Sequence, residues 1–449
     1  MKTALLASLA VICLSSFPLC AAGAKTVDVT KSGVVGDGTT LNTTRLQKAI
    51  DDLAQAGGGI LEFPAGRYLT GTIQLKSNIT LHLDEQAVIL GSTDAADYRN
   101  LDPFIDGSGN PMGHALIVAL DASHLAIEGS GTIDGQGKGL AAKQKPFNMR
   151  PFLIRWVRCS DLTVSDVHLT NPGAWTLHFF QSKHAIVDGV TIRTREEHLR
   201  NNDGVDIDSS ADIKVKNCDI ISGDDAIVIK STSGAPSRDI VASDCKLSTR
   251  TNAIKLGTES YGGFQNISVS NCTVTNTDMA GIALYEVDGA ALSNVTISDV
   301  TMDGVSVPIS IRLGARLKTF REGDQPKTAS TLSDVIIKNV TAKNVKLVGI
   351  LINGIPGHPV ENVTLDNIRL EVPGGGSAEA AKIQLPEKEK AYPEFNMFGK
   401  TIPASGIYIR HVKNITLKDV QVTPLQPDAR PATVLIDAEN VTPPDAAAH

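Results

Sequence analysis

Three cysteines stand at equal intervals, Cys218, Cys245 and Cys272, in "KVKNCDI", "VASDCKL" and "SVSNCTV", 27 residues apart each time. The same frame, an alternating apolar stretch closed by Asn, Asp or Gly and then a small apolar residue, recurs in "LTVSDVHL", "AIVDGVTI", "VTISDVTM", "VIIKNVTA", "VTLDNIRL" and "ITLKDVQV". The closing residue falls at Val167, Val190, Cys218, Cys245, Cys272, Val300, Val340, Ile368 and Val420, with spacings of 23, 28, 27, 27, 28, 40, 28 and 52. Self-similarity at this period makes a solenoid, because one repeat can bury its apolar face only against the next. Within each repeat the apolar residues alternate, which makes strands rather than helices. The expected fold is all-β: each repeat is one coil of a single-stranded parallel β-helix, with coils stacked about 4.8 Å apart and like residues above like.

Stacking places the three cysteines in one internal column. A disulfide between rungs and a ladder of buried thiols are both compatible with the spacing. Before the repeats, "LNTTRLQKAIDDLAQAGGG" reads as an amphipathic helix capped by Asn42, Thr43 or Thr44 and ended by Gly57. Such a helix closes the open end of the coil stack and protects its edge. Two long intervals, 315–330 and roughly 372–404, interrupt the rhythm and are expected to be surface loops, either walls of a groove or tolerated insertions.

A second frame carries the chemistry. "DGVDIDS" (203–209), "DAIVIKS" (225–231), "NAIKLGT" (252–258), "AGIALYE" (280–286) and "VPISIRL" (307–313) align as successive rungs of one sheet. Val205, Ile227, Ile254, Ile282 and Ile309 point inward, as do Ile207, Ile229, Leu256, Leu284 and Ile311. The intervening positions face out. One outward row is Asp206, Val228, Lys255, Ala283 and Ser310; the next is Asp208, Lys230, Gly257, Tyr285 and Arg312. Asp203 and Asp225 lead adjacent rungs with Asp224 beside them, so three carboxylates converge on one exterior patch. Asn and Asp are also common turn formers, and a solenoid can carry them at its corners for backbone bonding alone. Crowded carboxylates, however, separate in pKa, and a protonated acid beside an ionised one is what glycosidic hydrolysis uses.

The remaining features narrow the class. Hydrophobic residues make up 42% of the chain and aromatics only 4%, suited to many short strands packed on aliphatic side chains. A net charge of −7 argues against a nucleic-acid partner but leaves room for a local basic cleft. "MKTALLASLAVICLSSFPLCAAGAK" reads as an export signal over 1–24, cleaved near Ala24 and too short for a membrane span. The catalytic β-helix is then expected over 25–449, with a loose tail, as an exported monomer in the periplasm or outside the cell. Cys159, Cys218, Cys245 and Cys272 remain after cleavage.

"NNDGVDID" and "SGDDAIVIK" resemble the Asn-x-Asp-Gly and Gly-Asp-Asp motifs of glycoside hydrolase family 28, the polygalacturonases and rhamnogalacturonases. "VVGDGTTLNT", "GGGILEFPAGRYLTG", "SNITLHL" and "NPGAWTLHF" resemble the family's preceding coils, so the likeness covers most of the chain after the signal. It implies a right-handed, pectin-lyase-like parallel β-helix hydrolysing a pectic, galacturonate-containing polysaccharide with inversion and no metal or cofactor. Carried over by motif, Asp224 is the general acid, and Asp203 and Asp225 hold and activate water. Asn252 stands where the family has the histidine of Gly-His-Gly, and Ala283-Leu284-Tyr285 where it has Arg-Ile-Lys. Asn201, Lys230, Asn252, Lys255, Tyr285, Arg312 and His178 are therefore the expected substrate contacts, with Arg312 a replacement carboxylate clamp.

His198, just before Asp203, and Trp175 are secondary candidates. The loop aromatics Tyr392, Phe395 and Phe398 either stack under a sugar or anchor their loop. Two other classes use the same features: a Ca²⁺-dependent polysaccharide lyase, in which the aspartates bind the ion, and a non-catalytic glycan-binding β-helix.

Overall fold

The computed structural model describes residues 25–144, 146–197 and 199–442, with the backbone only at Glu197. The proposed signal segment 1–24, His198 and the tail 443–449 lie outside the described residues. Among those described, the named strands pair in parallel, coil upon coil, except for the antiparallel hairpin Asn100–Ile105 with Pro111–Leu120. The parallel β-helix expected from the repeat is the architecture observed.

Six successive rungs of one sheet carry the site: β1 (Leu177–Phe180), β2 (Val205–Asp208), β3 (Ile227–Ser231), β4 (Ile254–Ser260), β5 (Ala280–Glu286) and β6 (Val307–Leu313). Their register follows the sequence alignment along the first outward row, with Asp206 beside Val228, Val228 beside Lys255, Lys255 beside Ala283 and Ala283 beside Ser310, but shifts after Ile229, where Ser231 pairs with Ser260 and not with the aligned Thr258. Val205, Ile207, Ile227, Ile229, Ile254, Leu256, Ile282, Leu284, Ile309 and Ile311 all enter the main core. A one-residue slip would turn every one of them outward, which is why alternation alone sets the register.

Helix α1 (Thr43–Gln55) buries Leu46, Ala49, Ile50 and Leu53 against the first coils. Asn42 precedes it, but its side chain bonds Val35 and the Thr40 carbonyl rather than the helix's free amides. Cys159, Cys218, Cys245 and Cys272 are free and buried. Cys218, Cys245 and Cys272 form the thiol ladder, the Sγ atoms donating to the carbonyls of Lys216, Ser243 and Ser270. At the outer corners Asn266, Asn294, Asn362 and Asn414 adopt positive φ. Asn294 donates to Asn266 at 2.7 Å and Asn414 to Asn362 at 3.1 Å; these Asn-x-Ser/Thr triplets are turn chemistry that ties rung to rung. No helix among the described residues is long and apolar enough to cross a membrane.

Candidate active site

Asp203 and Asp225 end up side by side because β2 and β3 pair in register and both residues lie two positions before their strands' first pair, Val205 and Ile227. Gly204 N donates to Asp225 O at 2.8 Å. A Cβ on Gly204 would stand 2.4 Å from Ala226 O, so the close approach of the next rung requires the glycine after Asp203. Asp224 Oδ1 accepts from Asp225 N and Thr251 Oγ1, both at 3.0 Å. Asp203, Asp224 and Asp225 each present one carboxylate oxygen within 4.8 Å of the other two. The sheet thus brings together three of the five motif aspartates as expected, and Asp206, three residues after Asp203, joins them around Lys230.

Their environments drive the four acids apart. Asp203 and Asp206 are buried. Burial pushes Asp203 well above the usual carboxylate range, with Asp206 and Asp224 adding to it. Burial does the same to Asp206, more than Lys230 can offset. Asp224 is raised to about 6, by burial first and by the neighbouring Asp225 charge second. Asp225 goes the other way: burial would raise it, but the Lys255 and Lys230 ammoniums outweigh that and hold it low. Lys255 Nζ lies 2.9 Å from Asp225 Oδ2. Asn252 supports the ionised form, donating to Asp225 Oδ1 from both its amide nitrogens, at 3.0 and 2.8 Å.

Lys230 sits among Asp203 (3.5 Å), Asp206 (3.6 Å) and Glu259 (3.4 Å), with its ammonium 4.4 Å from the centre of the Trp175 ring. These distances also bear on the lyase reading: a cation held by Asp203, Asp224 and Asp225 would share Asp203 with Lys230 and Asp225 with Lys255.

Expected to be an exterior patch, the outward rows are instead covered. Asp206, Lys230, Lys255, Tyr285 and Arg312 are all buried. Three segments do this. The hairpin of 100–111 lays Phe104 against Phe152, Trp175 and His178. The 315–330 insertion runs back to that hairpin, Lys318 Nζ donating to Asp106 O and Gly107 O at 3.2 and 2.8 Å. The 372–404 insertion packs Leu385, Phe395, Phe398 and Ile402 over Val307, Leu351 and Tyr408. Both insertions are walls of the site. Of the three motif acids, only Asp224 retains partial exposure.

Lys230, Asn252, Lys255 and Tyr285 all lie around the acids. Asn201 is at the partly exposed rim, accepting from Arg150 Nη1 at 2.7 Å. Arg312 sits elsewhere in the design: it donates to the carbonyls of Gly354 (2.8 Å), Glu387 (2.8 Å) and Lys388 (3.3 Å), fastening the 372–404 loop rather than presenting a clamp. His178, expected to face the groove, is fully buried with ring centroids 5.0 Å from Phe152 and from Trp175, and burial lowers it to about 4. Trp175 is buried with it; Phe395 and Phe398 are loop anchors, and Tyr392 is the exposed one.

Two acids at the site have no precedent in the motif reading. Glu259 accepts from Gly107 N at 2.7 Å and faces Lys230. Glu394 accepts from Lys255 Nζ at 2.7 Å and from Asn252 Nδ2 at 3.1 Å. Glu259 follows the third aligned frame by one residue, a weak signal. Glu394 arrives from an irregular insertion, where periodicity says nothing.

Comparison with known proteins agrees with this fold. The chain is 29% identical over 374 residues to a probable polygalacturonase of Vitis vinifera, covering 78% of this chain and 74% of that one. It is 27% identical over 396 residues to an endo-polygalacturonase of Pectobacterium carotovorum, covering 82% and 95%. The solved family 28 exopolygalacturonase of Yersinia enterocolitica shares the right-handed parallel β-helix at a TM-score of 0.73 and 20% identity, over 93% of this chain and 78% of that one. The model of glycosyl hydrolases family 28 matches residues 58–391, which include both aspartate motifs and every rung from β1 to β6. The chain belongs to glycosyl hydrolases family 28.

Proposed function

We propose that this protein hydrolyses an α-glycosidic bond in a pectic, galacturonate-containing polysaccharide, with Asp224 as general acid and Asp225 as general base. The observation that carries the assignment is the split between adjacent carboxylates in one cluster, Asp224 raised and partly exposed, Asp225 held low by Lys255. An acid must reach the leaving oxygen, and Asp224 is the one open to solvent. A base must be ionised, and Asp225 is. Asp203, raised by burial, orients the attacking water. An oxygen gap of up to 4.8 Å lets one water touch both Asp203 and Asp225 at ordinary hydrogen-bond lengths.

In the step itself the Asp224 proton moves to the departing sugar oxygen as the C–O bond breaks. The water oxygen bonds the anomeric carbon, and its proton passes to Asp225. The carboxylate spacing is shorter than the about 6.5–9.5 Å of two-carboxylate inverting sites. Inversion is therefore supported by family membership and not by distance. The pectic substrate is supported by the polygalacturonase activities for which the relatives are named. Export of the chain, a mature unit over 25–449, and action as a monomer without metal or cofactor complete the reading.

Product mass spectrometry after incubation with polygalacturonate, rhamnogalacturonan and their short oligomers, with and without chelator, is the test. Products carrying an added water despite chelator support hydrolysis. Unsaturated, calcium-dependent products mean a lyase, and intact glycan throughout means a binding protein. NMR of the first-formed anomer decides the stereochemistry.

A further inference from the structure

We infer that Glu394 makes the subsite on the Lys255 flank of the acid cluster select an uncharged sugar and reject a galacturonate. This deepens the pectic-hydrolase reading and rests on it.

The donors that flank Asp225 are those a sugar carboxylate would use, and each is already engaged. Lys255 Nζ bridges Asp225 Oδ2 at 2.9 Å and Glu394 Oε1 at 2.7 Å. Asn252 Nδ2 bridges the same two side chains, at 2.8 and 3.1 Å. The Tyr285 hydroxyl bonds Ser310 Oγ at 3.0 Å and stands 3.5 Å from Glu394 Oε2. Lys230 faces three carboxylates, and the Arg312 guanidinium is turned to loop carbonyls.

Glu394 is well held for this role. It is 7% exposed, next to Phe395 in a loop whose Leu385, Phe395, Phe398 and Ile402 form their own apolar cluster with Val307, Leu351 and Tyr408. The 372–404 insertion therefore delivers a carboxylate into the position a substrate carboxylate would fill. A galacturonate arriving there would meet the Glu394 carboxylate, whose one cation, Lys255, is already shared with Asp225, and like charges brought together across an interface cost several kcal/mol. A neutral sugar meets a carboxylate that accepts hydrogen bonds from its hydroxyls. Selection by an installed repulsive group is the general way to discriminate partners of similar shape. The Asp203 flank differs: Arg150 stands beside the segment leading into Asp203, donating to Arg200 O at 3.2 Å and Asn201 Oδ1 at 2.7 Å. The selection is confined to one side of the scissile bond, which fits a glycan joining an uncharged sugar to an acidic one.

The test compares wild type, Glu394→Gln and Glu394→Ala on two oligomers of equal length, one of galacturonate alone and one alternating galacturonate with rhamnose. Wild type is expected to favour the alternating oligomer in kcat/KM. Both variants should move the ratio toward the galacturonate oligomer by about tenfold or more, chiefly through KM. Binding of digalacturonate and of the galacturonate–rhamnose disaccharide is measured by calorimetry on the same three proteins, so the inference is read independently of turnover. Cleavage of neither oligomer removes the hydrolase reading, yet a gain of digalacturonate binding in Glu394→Gln still upholds the role of Glu394. Wild type that cleaves or binds the galacturonate oligomer as well as the alternating one, or variants with unchanged preference, overturns it. Glu394→Gln is near-isosteric, and a Tm matching wild type shows that the loop has stayed in place.

Discussion

Asp224 and Asp225 are adjacent in the chain yet titrate in opposite directions, Asp224 raised to about 6 and Asp225 held low with Lys255 Nζ 2.9 Å from its Oδ2. Both lie in the bend between the strand that ends at Ser222 and β3, and their side chains leave that bend toward different partners. Asp225 turns toward the row carrying Lys255 and Asn252, while Asp224 turns to the partly exposed rim beside Thr251.

Asp224→Asn should lower kcat by about 10²–10⁴ with glycan binding retained, since only the transferable proton is lost. Steady-state kinetics alongside calorimetric binding of the same oligomer check this. Equal loss of binding would mean that Asp224 holds substrate rather than protonating it.

The pH profile of kcat/KM should be bell-shaped and centred on the acid side of neutrality. Activity falls as pH rises past about 6, where Asp224 loses its proton, and falls again at low pH, where Asp225 gains one. The same shift has a stability sign. A carboxyl raised on folding binds more protons in the native state, so its contribution declines as pH rises from its ordinary value of 3.8 through about 6. Asp224→Asn should then raise Tm over wild type at pH 7 by more than it does at pH 4, read by scanning calorimetry.

Lys255→Met should abolish most activity and destabilise the fold by about 3–5 kcal/mol, the usual cost of removing one partner from a buried ion pair. Two carboxylates, Asp225 and Glu394, lose their shared cation. Denaturant titration gives the stability change. In any residual activity the acid limb of the pH profile should move upward, because Asp225 no longer has its nearest positive charge.

Arg312→Met should loosen the 372–404 loop without touching the acids. Its guanidinium holds carbonyls at Gly354, Glu387 and Lys388. Limited proteolysis should cut within 380–400 faster than in wild type. An unchanged cleavage rate would show that the apolar cluster around Phe395 and Phe398 holds the loop by itself.

Chelator should leave turnover unchanged and added calcium should not raise it. Lys230 and Lys255 already stand against Asp203 and Asp225, so a divalent cation entering this cluster would compete with two fixed ammoniums. Activity lost with chelator and restored by calcium would favour the lyase chemistry over acid–base hydrolysis.

Much of this was legible in the chain because a solenoid turns sequence period directly into spatial position. The alignment of "DGVDIDS" with "DAIVIKS" and "NAIKLGT" places Asp206, Val228 and Lys255 in one row, and those are neighbours in the sheet. The convergence of Asp203, Asp224 and Asp225 follows from the same arithmetic. His178 pairs with Asp206 from the preceding rung, and Arg312 fell in its row beside Tyr285, but neither position made its residue part of the site. One is sealed beneath Phe104 and the other is turned to a loop's backbone.

The sequence by itself determined the coil, its register, the cysteine column and the acid cluster, since each depends on residues one or two periods apart and on strand alternation. Tertiary structure alone decided what covers that cluster. Glu394 is 139 residues from Lys255, and Gly107 is 152 residues from Glu259, yet both pairs are in direct contact. Those contacts come from an irregular insertion and a hairpin whose paths no repeat dictates. They settle which lysines are already paired, and so which charges remain for a substrate.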